Sequence, residues 1–311
     1  MRHFVLICFM ICLFYGRCTA NGEQGGKDFA LLNVGLGGRA TGMGNAYSAL
    51  ATDGNSAFWN PAGMLFARAF ELSSMQTKLP SDLDVYYLTS VFQEKKDKNK
   101  PNSAWGIYWI NGAVQDIPRV TANEDTGPNT DVKPASSFSY HAQVIGLSYA
   151  GWLDTNLAYG INVSGFYQEF SSIQNGKGYG GSITPSLLWM PSPRLMVGTV
   201  LRDLINTQKW ETGSVEDIIP EWRVGASLSI LDPVLVTAEI RQKLRARYAP
   251  TFHIGSEYNF GFLRIRGGFD ESHYTAGCGV YAGPIDLQYA YVGNDSDGIG
   301  DNHRISIGFG L

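Results

Sequence analysis

Cysteine is nearly missing from the part of this chain that folds. Four occur in 311 residues, and Cys8, Cys12 and Cys18 all fall in an opening segment that reads as an export leader. Arg2 and His3 precede an apolar run from Phe4 to Tyr15, and the small residues Cys18 and Ala20 suit cleavage after Ala20. The run is too short for a membrane-spanning helix, and Arg17 directly before Cys18 disfavours lipidation of that cysteine. Beyond the leader only Cys278 remains, which excludes an intramolecular disulfide.

Charge is also sparse. Asp, Glu, Lys and Arg make up 17% of residues against an average of about 25%. The balance of 24 basic to 28 acidic residues becomes more acidic once Arg2 and Arg17 leave, which argues against a nucleic-acid partner. No later stretch carries the roughly eighteen consecutive apolar residues of a membrane helix. The histidines His3, His141, His253, His273 and His303 are scattered without zinc-ligand spacing, and no nucleophile elbow or triad signature is present. The expectation is a non-enzyme with no metal and no cofactor.

What the chain does have is glycine, with 37 residues, aromatics at 13%, and period-two alternation. Its ending, Asn302 to Leu311, places Ile305, Ile307, Phe309 and Leu311 on one face and Arg304, Ser306, Gly308 and Gly310 on the other. An alternating terminal strand after an export leader predicts the closing strand of an outer-membrane barrel. Downstream of Met64, fourteen strands are predicted near 67–77, 83–92, 103–112, 138–150, 155–170, 179–190, 194–203, 221–231, 233–244, 250–259, 262–270, 273–282, 285–293 and 302–311. The even count suits a closed barrel, and only helices and closed barrels satisfy their backbone in lipid. Tight links such as Pro191-Ser192-Pro193 and Gly283-Pro284 alternate with long polar ones such as 113–135, 204–220 and 294–301, the pattern of short periplasmic turns and longer external loops. The short first link and the charged turn from Gln93 to Asn102 depart from it.

The strand faces predict a charged lumen. Trp222, Val224, Ala226, Leu228 and Ile230 alternate with Arg223, Gly225, Ser227 and Ser229, and Val234, Val236, Ala238 and Ile240 alternate with Leu235, Thr237, Glu239 and Arg241. The same reading turns His253, Glu257, Arg264, Arg266 and Asp286 inward. A one-residue slip would put Arg266 in lipid at a cost of about 2–4 kcal/mol near the midplane. Trp152, Trp189, Trp222, Tyr258, Phe260 and Phe262 stand near strand ends, where aromatic girdles belong.

Residues 21–64 differ in kind. The run from Gly35 to Leu50 is rich in small residues and unsuited to a lipid-facing strand. Irregular backbone at membrane depth must be enclosed by protein or line a cavity, so this segment is expected to plug the lumen. The chain thus divides into a leader (1–20), a hatch or plug (21–64) and a barrel (65–311). Gly35 to Ala40 formally matches a dinucleotide fingerprint, but no strand–helix–strand unit surrounds it. The acidic stretch Asn294 to Asp301 lacks the spacing and closing Glu of a calcium loop.

Gly37-Gly38-Arg39-Ala40-Thr41-Gly42-Met43-Gly44-Asn45-Ala46, followed by Ala51 to Met64 with its Asn60-Pro61-Ala62 element, resembles the amino-terminal signature of the PorV/PorQ family, a branch of the FadL-like outer-membrane transport proteins. Asp286 to Tyr291 and Gly300 to Ser306 resemble that family's last two strands. The resemblance implies a monomeric fourteen-stranded barrel, all β, whose hatch carries Gly37, Gly38, Arg39, Gly42, Gly44, Asn60, Pro61 and Ala62. It implies binding or transport of hydrophobic, long-chain fatty-acid-like solutes that leave sideways into the bilayer. Outer-membrane lipid, a hydrophobic small molecule and, through the closing strand, the barrel-assembly machinery are its implied partners. Strand three, with Gly106 and Gly112 beside Trp105, Tyr108 and Trp109, is the candidate for a lateral opening, because strand glycines mark kinks or close backbone approach. The alternative is a PorV-like accessory of type IX secretion that handles secretion components or cargo.

Overall fold

The computed structural model describes residues 30–79, 82–97, 100–119, 136–245, 248–271, 273–293 and 302–311. The expected leader, residues 21–29 and the acidic stretch 294–301 lie outside them, as does most of the 113–135 link. The strands are β1 (Phe70–Leu79), β2 (Leu83–Asp97), β3 (Lys100–Arg119), β4 (Ser136–Asp154), β5 (Leu157–Phe170), β6 (Lys177–Ser192), β7 (Leu195–Arg202), β8 (Ile205–Trp210), β9 (Val215–Glu216), β10 (Glu221–Leu231), β11 (Val234–Lys243), β12 (Thr251–Asn259), β13 (Leu263–Asp270), β14 (His273–Ala282), β15 (Ile285–Val292) and β16 (Asn302–Gly310). Each of β1–β7 and β10–β16 pairs antiparallel with its neighbour, β7 joins β10, and β16 pairs back onto β1. These fourteen strands form a closed barrel, which leaves no free sheet edge along its wall below β8 and β9.

Side-chain alternation sets which way each strand faces. Along β16, Asn302, Arg304, Ser306, Gly308 and Gly310 are buried while His303, Ile305, Ile307 and Phe309 are exposed. With Leu287 and Leu147 also more than half exposed, the outer surface is an apolar band of the kind that faces lipid. Among the described residues no helix is long and apolar enough to cross a membrane, a criterion that does not bear on barrels.

Three departures from the sequence reading have local causes. β2 and β3 extend through the charged run at 93–102, where Glu94 still pairs with Ser103 and the register slips only at Lys95. The first strand begins at Phe70, because Pro61 starts a 3-10 turn that runs to Phe66. The 204–220 link contains the small hairpin of β8 and β9.

Inside the ring runs the amino-terminal segment, with α1 (Ala30–Asn33), α2 (Gly38–Gly42), α3 (Ser56–Trp59) and the 3-10 turn Pro61–Phe66. Residues 34–51 and 54–65 are all buried. The turn after α2 needs left-handed backbone at Gly44 (φ 63°) and Asn45 (φ 57°). A Cβ on Gly44 would lie 2.5 Å from the Ile254 carbonyl oxygen, so only glycine lets the chain approach this wall.

Ile307 lies on the outer face of the closing strand. Ile307→Arg should destabilise the barrel in lipid by about 2–4 kcal/mol, read as a shift of the urea unfolding curve in vesicles, with the unheated gel band still migrating ahead of the boiled one.

Candidate functional site: the lumen and its inner segment

The lumen has two unlike halves. On β1–β6 the inward positions are mainly apolar or small: Met75, Val85, Tyr87, Val91, Tyr108, Ile110 and Val144 form one buried cluster with Leu31, Leu36, Tyr47, Phe58, Trp59 and Met64 of the inner segment. Phe58 is its centre, edge-on to Tyr108 at 5.4 Å, Trp59 at 5.7 Å and Tyr87 at 6.3 Å, within the range of favourable aromatic pairs.

On β10–β16 the inward positions carry the charges. Arg39 grips Glu257 with two nitrogens, Nε to Oε2 at 3.1 Å and Nη2 to Oε1 at 3.2 Å. From the neighbouring strand Arg266 donates Nε to the same carboxylate at 2.7 Å and Nη2 to the Tyr281 hydroxyl at 2.7 Å. Arg264 lies 4.0 Å from Glu257 and over the Tyr281 ring. Glu239 accepts the Ser48 N–H at 2.7 Å and Arg241 Nε at 2.6 Å, while Arg241 Nη2 donates to the Asn45 carbonyl. Arg223 pairs with Glu221. The guanidinium groups of Arg223 and Arg241 stand 5.5 and 5.6 Å from the Trp59 ring, near enough for cation–π attraction. Arg223, Glu239, Arg241, Glu257, Arg264 and Arg266, which alternation turned inward, all take part in these contacts, and Arg264 and Arg266 converge with Arg39 of the inner segment on the Glu257 carboxylate.

The motif residues of the inner segment occupy the contacts with the wall. Gly37 takes φ 90°, the Gly38 N–H donates to Ser306 Oγ at 2.8 Å, and Gly42 packs on Gly277. Asn60 is extended, as a residue before proline prefers. Its Oδ1 accepts the Ala62 N–H at 3.1 Å, and its Nδ2 donates to the carbonyls of Ser48 (2.6 Å) and Leu187 (3.2 Å). It thus does more than fix a local turn, because it ties the segment to β6. Pro61 and Ala62 rest against β5, where a Cβ on Gly160 would be 2.2 Å from the Ala62 nitrogen.

Gly106 and Gly112 do not mark a break. β3 pairs without interruption with β2 from Ser103 to Ala113 and with β4 from Ser103 to Val114. A Cβ on Gly106 would meet Met64 Sδ at 2.6 Å, and one on Gly112 would meet Leu31 Cδ2 at 2.4 Å. The physical role of both glycines is to admit the inner segment, and the irregularity in β3 comes later, between Val114 and Ile117.

Several residues were not singled out from sequence. Arg304 Nη1 donates to the Gly35 carbonyl at 2.6 Å, Arg202 Nη2 donates to the Leu32 carbonyl, and Asp53 lies 3.8 Å from Arg39 and accepts from the Tyr47 hydroxyl. Alternation placed Arg304 on the wet face, but nothing in the sequence paired it with residues more than 260 positions away. A polar cavity of about 350 Å³ opens above this level, with Trp59, Arg202, Glu221, Arg223, Arg241 and Lys243 among its lining. His253, Asp270 and Glu271 offer ligand atoms within 4.8 Å of one another. Two of the three are already engaged: Asp270 Oδ1 lies 2.7 Å from His253 Nδ1, and its Oδ2 accepts from Asn45.

With this geometry in view, the fold has solved counterparts. No family model matches the chain, and no curated protein is similar to it in sequence. The toluene transporter TbuX of Ralstonia pickettii superposes with a TM-score of 0.63 at 13% identity, covering 89% of this chain and 98% of that one. The toluene transporter TodX of Pseudomonas putida gives the same four values. A FadL homologue of Pseudomonas aeruginosa gives 0.55 at 10% identity, over 88% of this chain and 98% of its own. The chain thus shares the barrel fold of these proteins over nearly their whole length.

Removing one member of a buried, hydrogen-bonded ion cluster leaves its partners uncompensated, at a cost of about 3–5 kcal/mol. Glu257→Ala should therefore free Arg39 and loosen the inner segment, read as faster tryptic cleavage at Arg39 in the folded protein. Arg264→Ala, which removes a 4.0 Å contact with the carboxylate and the contact with the Tyr281 ring, should leave the cleavage rate near wild type.

Proposed function

We propose that this protein is an outer-membrane barrel through which hydrophobic small molecules pass, with residues 21–64 as the hatch that governs passage. The observation that carries the reading is the asymmetry of the lumen. On the β10–β16 side arginines and carboxylates hold the inner segment, whereas on the β1–β6 side an apolar and aromatic cluster around Phe58 meets the wall beside a few hydrogen bonds, among them Thr89 to the Gly54 carbonyl and Ser148 to the Ala57 carbonyl. Apolar contacts are non-directional, so the ring cluster at Phe58 can exchange a hydrophobic side chain for a hydrophobic solute while the hydrogen bonds beside it stay made. The polar cavity above it would receive solutes from the outside. The likeness in fold to barrels described as toluene transporters supports the same direction, and the export leader and apolar outer band support placement in an outer membrane.

One feature favours a second reading. Among the described residues the segment from Leu36 to Ala51 is buried throughout, a packing that also suits an accessory of type IX secretion. The PorV/PorQ resemblance of the Gly37 to Ala46 and Asn60 to Ala62 elements points the same way.

A clean deletion strain separates the two. Transport requires loss of uptake of a monoaromatic hydrocarbon or a long-chain fatty acid, restored by the wild-type gene. Unchanged uptake together with lost export of carboxy-terminally tagged cargo would replace it with the secretion role. In planar bilayers, removal of Ala30 to Ala57 should give larger open events than the intact protein. Equal conductance would show that the segment does not block the pore.

A further inference from the structure

The wall changes character between β7 and β10. β6 pairs with β7 at Ser186↔Val200 and with β8 from Ile183↔Ile205 upward, so two residues of β6 face four of the opposing chain. Within that surplus Asp203 adopts a left-handed φ of 51°. Two wall hydroxyls hold it there: Ser182 Oγ donates to its carboxylate at 2.6 Å, and its N–H donates to Thr184 Oγ1 at 2.9 Å. A non-glycine residue kept in that region costs free energy and persists only where its surroundings fix it.

Beyond this point the ladder to β10 stops. β10 pairs with β7 only as far as Glu221↔Arg202, and β8 turns its far edge to β9 through Gln208↔Glu216 and Lys209↔Val215. Residues 217–220, which belong to no strand, fill the place between. One side chain clasps them. Asn206 Oδ1 accepts the Ile218 N–H at 2.7 Å and Nδ2 donates to the Ile218 carbonyl at 2.9 Å, so a carboxamide stands where a neighbouring strand's peptide would be. Ile218 is buried and joins the apolar cluster that holds Phe58 and Leu32. On the outer face of the same joint, Ile205 is 63% exposed, paired with Ile183, and Val163 beyond it is 53% exposed. Four residues therefore separate an apolar interior from an apolar exterior.

We propose that residues 217–220 are a strap whose release from Asn206 opens a lateral passage between the lumen cluster at Phe58 and the lipid beside Ile205. The released backbone would have polar partners nearby, because Arg202, Glu221 and Lys243 at the edge of the strap also line the polar cavity. That matters in a membrane, where an unpaired peptide group is costly. As an exit route the strap rests on the transport reading given above, but its movement is testable without any uptake measurement.

The direct test uses purified full-length protein in lipid vesicles, with Cys278→Ser removing the one cysteine outside the leader and Ile218→Cys as the reporter. Asn206→Ala should raise the rate of maleimide modification at position 218 by about thirtyfold, the population shift expected from losing two hydrogen bonds of ordinary net strength. The heat-shifted gel band serves as the check on folding. An unchanged rate in folded protein overturns the strap. In the second arm, a reversible disulfide between Asn206→Cys and Ile218→Cys should abolish uptake of the hydrophobic solute until reductant is added. Full uptake by the locked protein overturns the passage. If the wild type carries no hydrophobic solute while Asn206→Ala still exposes position 218, the transport reading falls and the moving strap stands.

Discussion

An irregular chain enclosed by a barrel has little water to satisfy its peptide groups, and here the barrel wall supplies the partners. The inner segment presents N–H and C=O groups in every direction because its helices are only four or five residues long. The wall answers with side chains: Ser306 takes the Gly38 N–H, Thr275 the Gly44 N–H and Glu239 the Ser48 N–H, while Ser148 and Thr237 donate to the carbonyls of Ala57 and Ala46. Where the wall meets those groups, its inward positions are accordingly hydroxyls, carboxylates and arginines, or glycines where two backbones touch. Segment and wall depend on each other.

The same mutual dependence explains why the buried arginines of the wall cluster on β7 and β10–β16. A buried arginine or carboxylate is tolerable only if paired and hydrogen-bonded, and the pairs here span the two units: Arg39 with Glu257, Ser48 with Glu239, Arg304 with the Gly35 carbonyl. They fix the position of the segment on β10–β16. Across the lumen, the ring contacts of Phe58 with Tyr87 and Tyr108 impose no such register, and hydrogen bonds such as Ser148 to the Ala57 carbonyl hold the backbone beside them.

The barrel was legible in the sequence because a strand's two-residue period is written directly in its side chains. Trp222, Val224 and Ala226 against Arg223, Gly225 and Ser227 told outside from inside without any knowledge of neighbours, and the Arg264 to Arg266 run carried the same signal. The inner segment has no period, so its burial followed only from composition and the membrane constraint, and its contacts could not be read at all: Arg39 and Glu257 are 218 positions apart. Glycine was ambiguous in a specific way. Gly106 and Gly112 mark close backbone approach, and sequence does not say whether the approaching group is a solute, a kinked wall or, as found, Met64 and Leu31. The break after β7 was hidden for the opposite reason, since Arg202-Asp203-Leu204 contains neither glycine nor proline and only the left-handed Asp203 reveals the joint.

The central claim is that the amino-terminal segment lies within the barrel, against the β3–β4 wall on its apolar side. Ser148 Oγ donates to the Ala57 carbonyl at 2.6 Å, so the most direct measurement is a disulfide between Ala57→Cys and Ser148→Cys in a Cys278→Ser background, formed in intact outer membranes and identified by mass spectrometry of the linked peptides. The account predicts efficient cross-linking in the folded, heat-shifted species. Folded protein in which the two cysteines stay free and separately reactive would place the segment outside the lumen and contradict it.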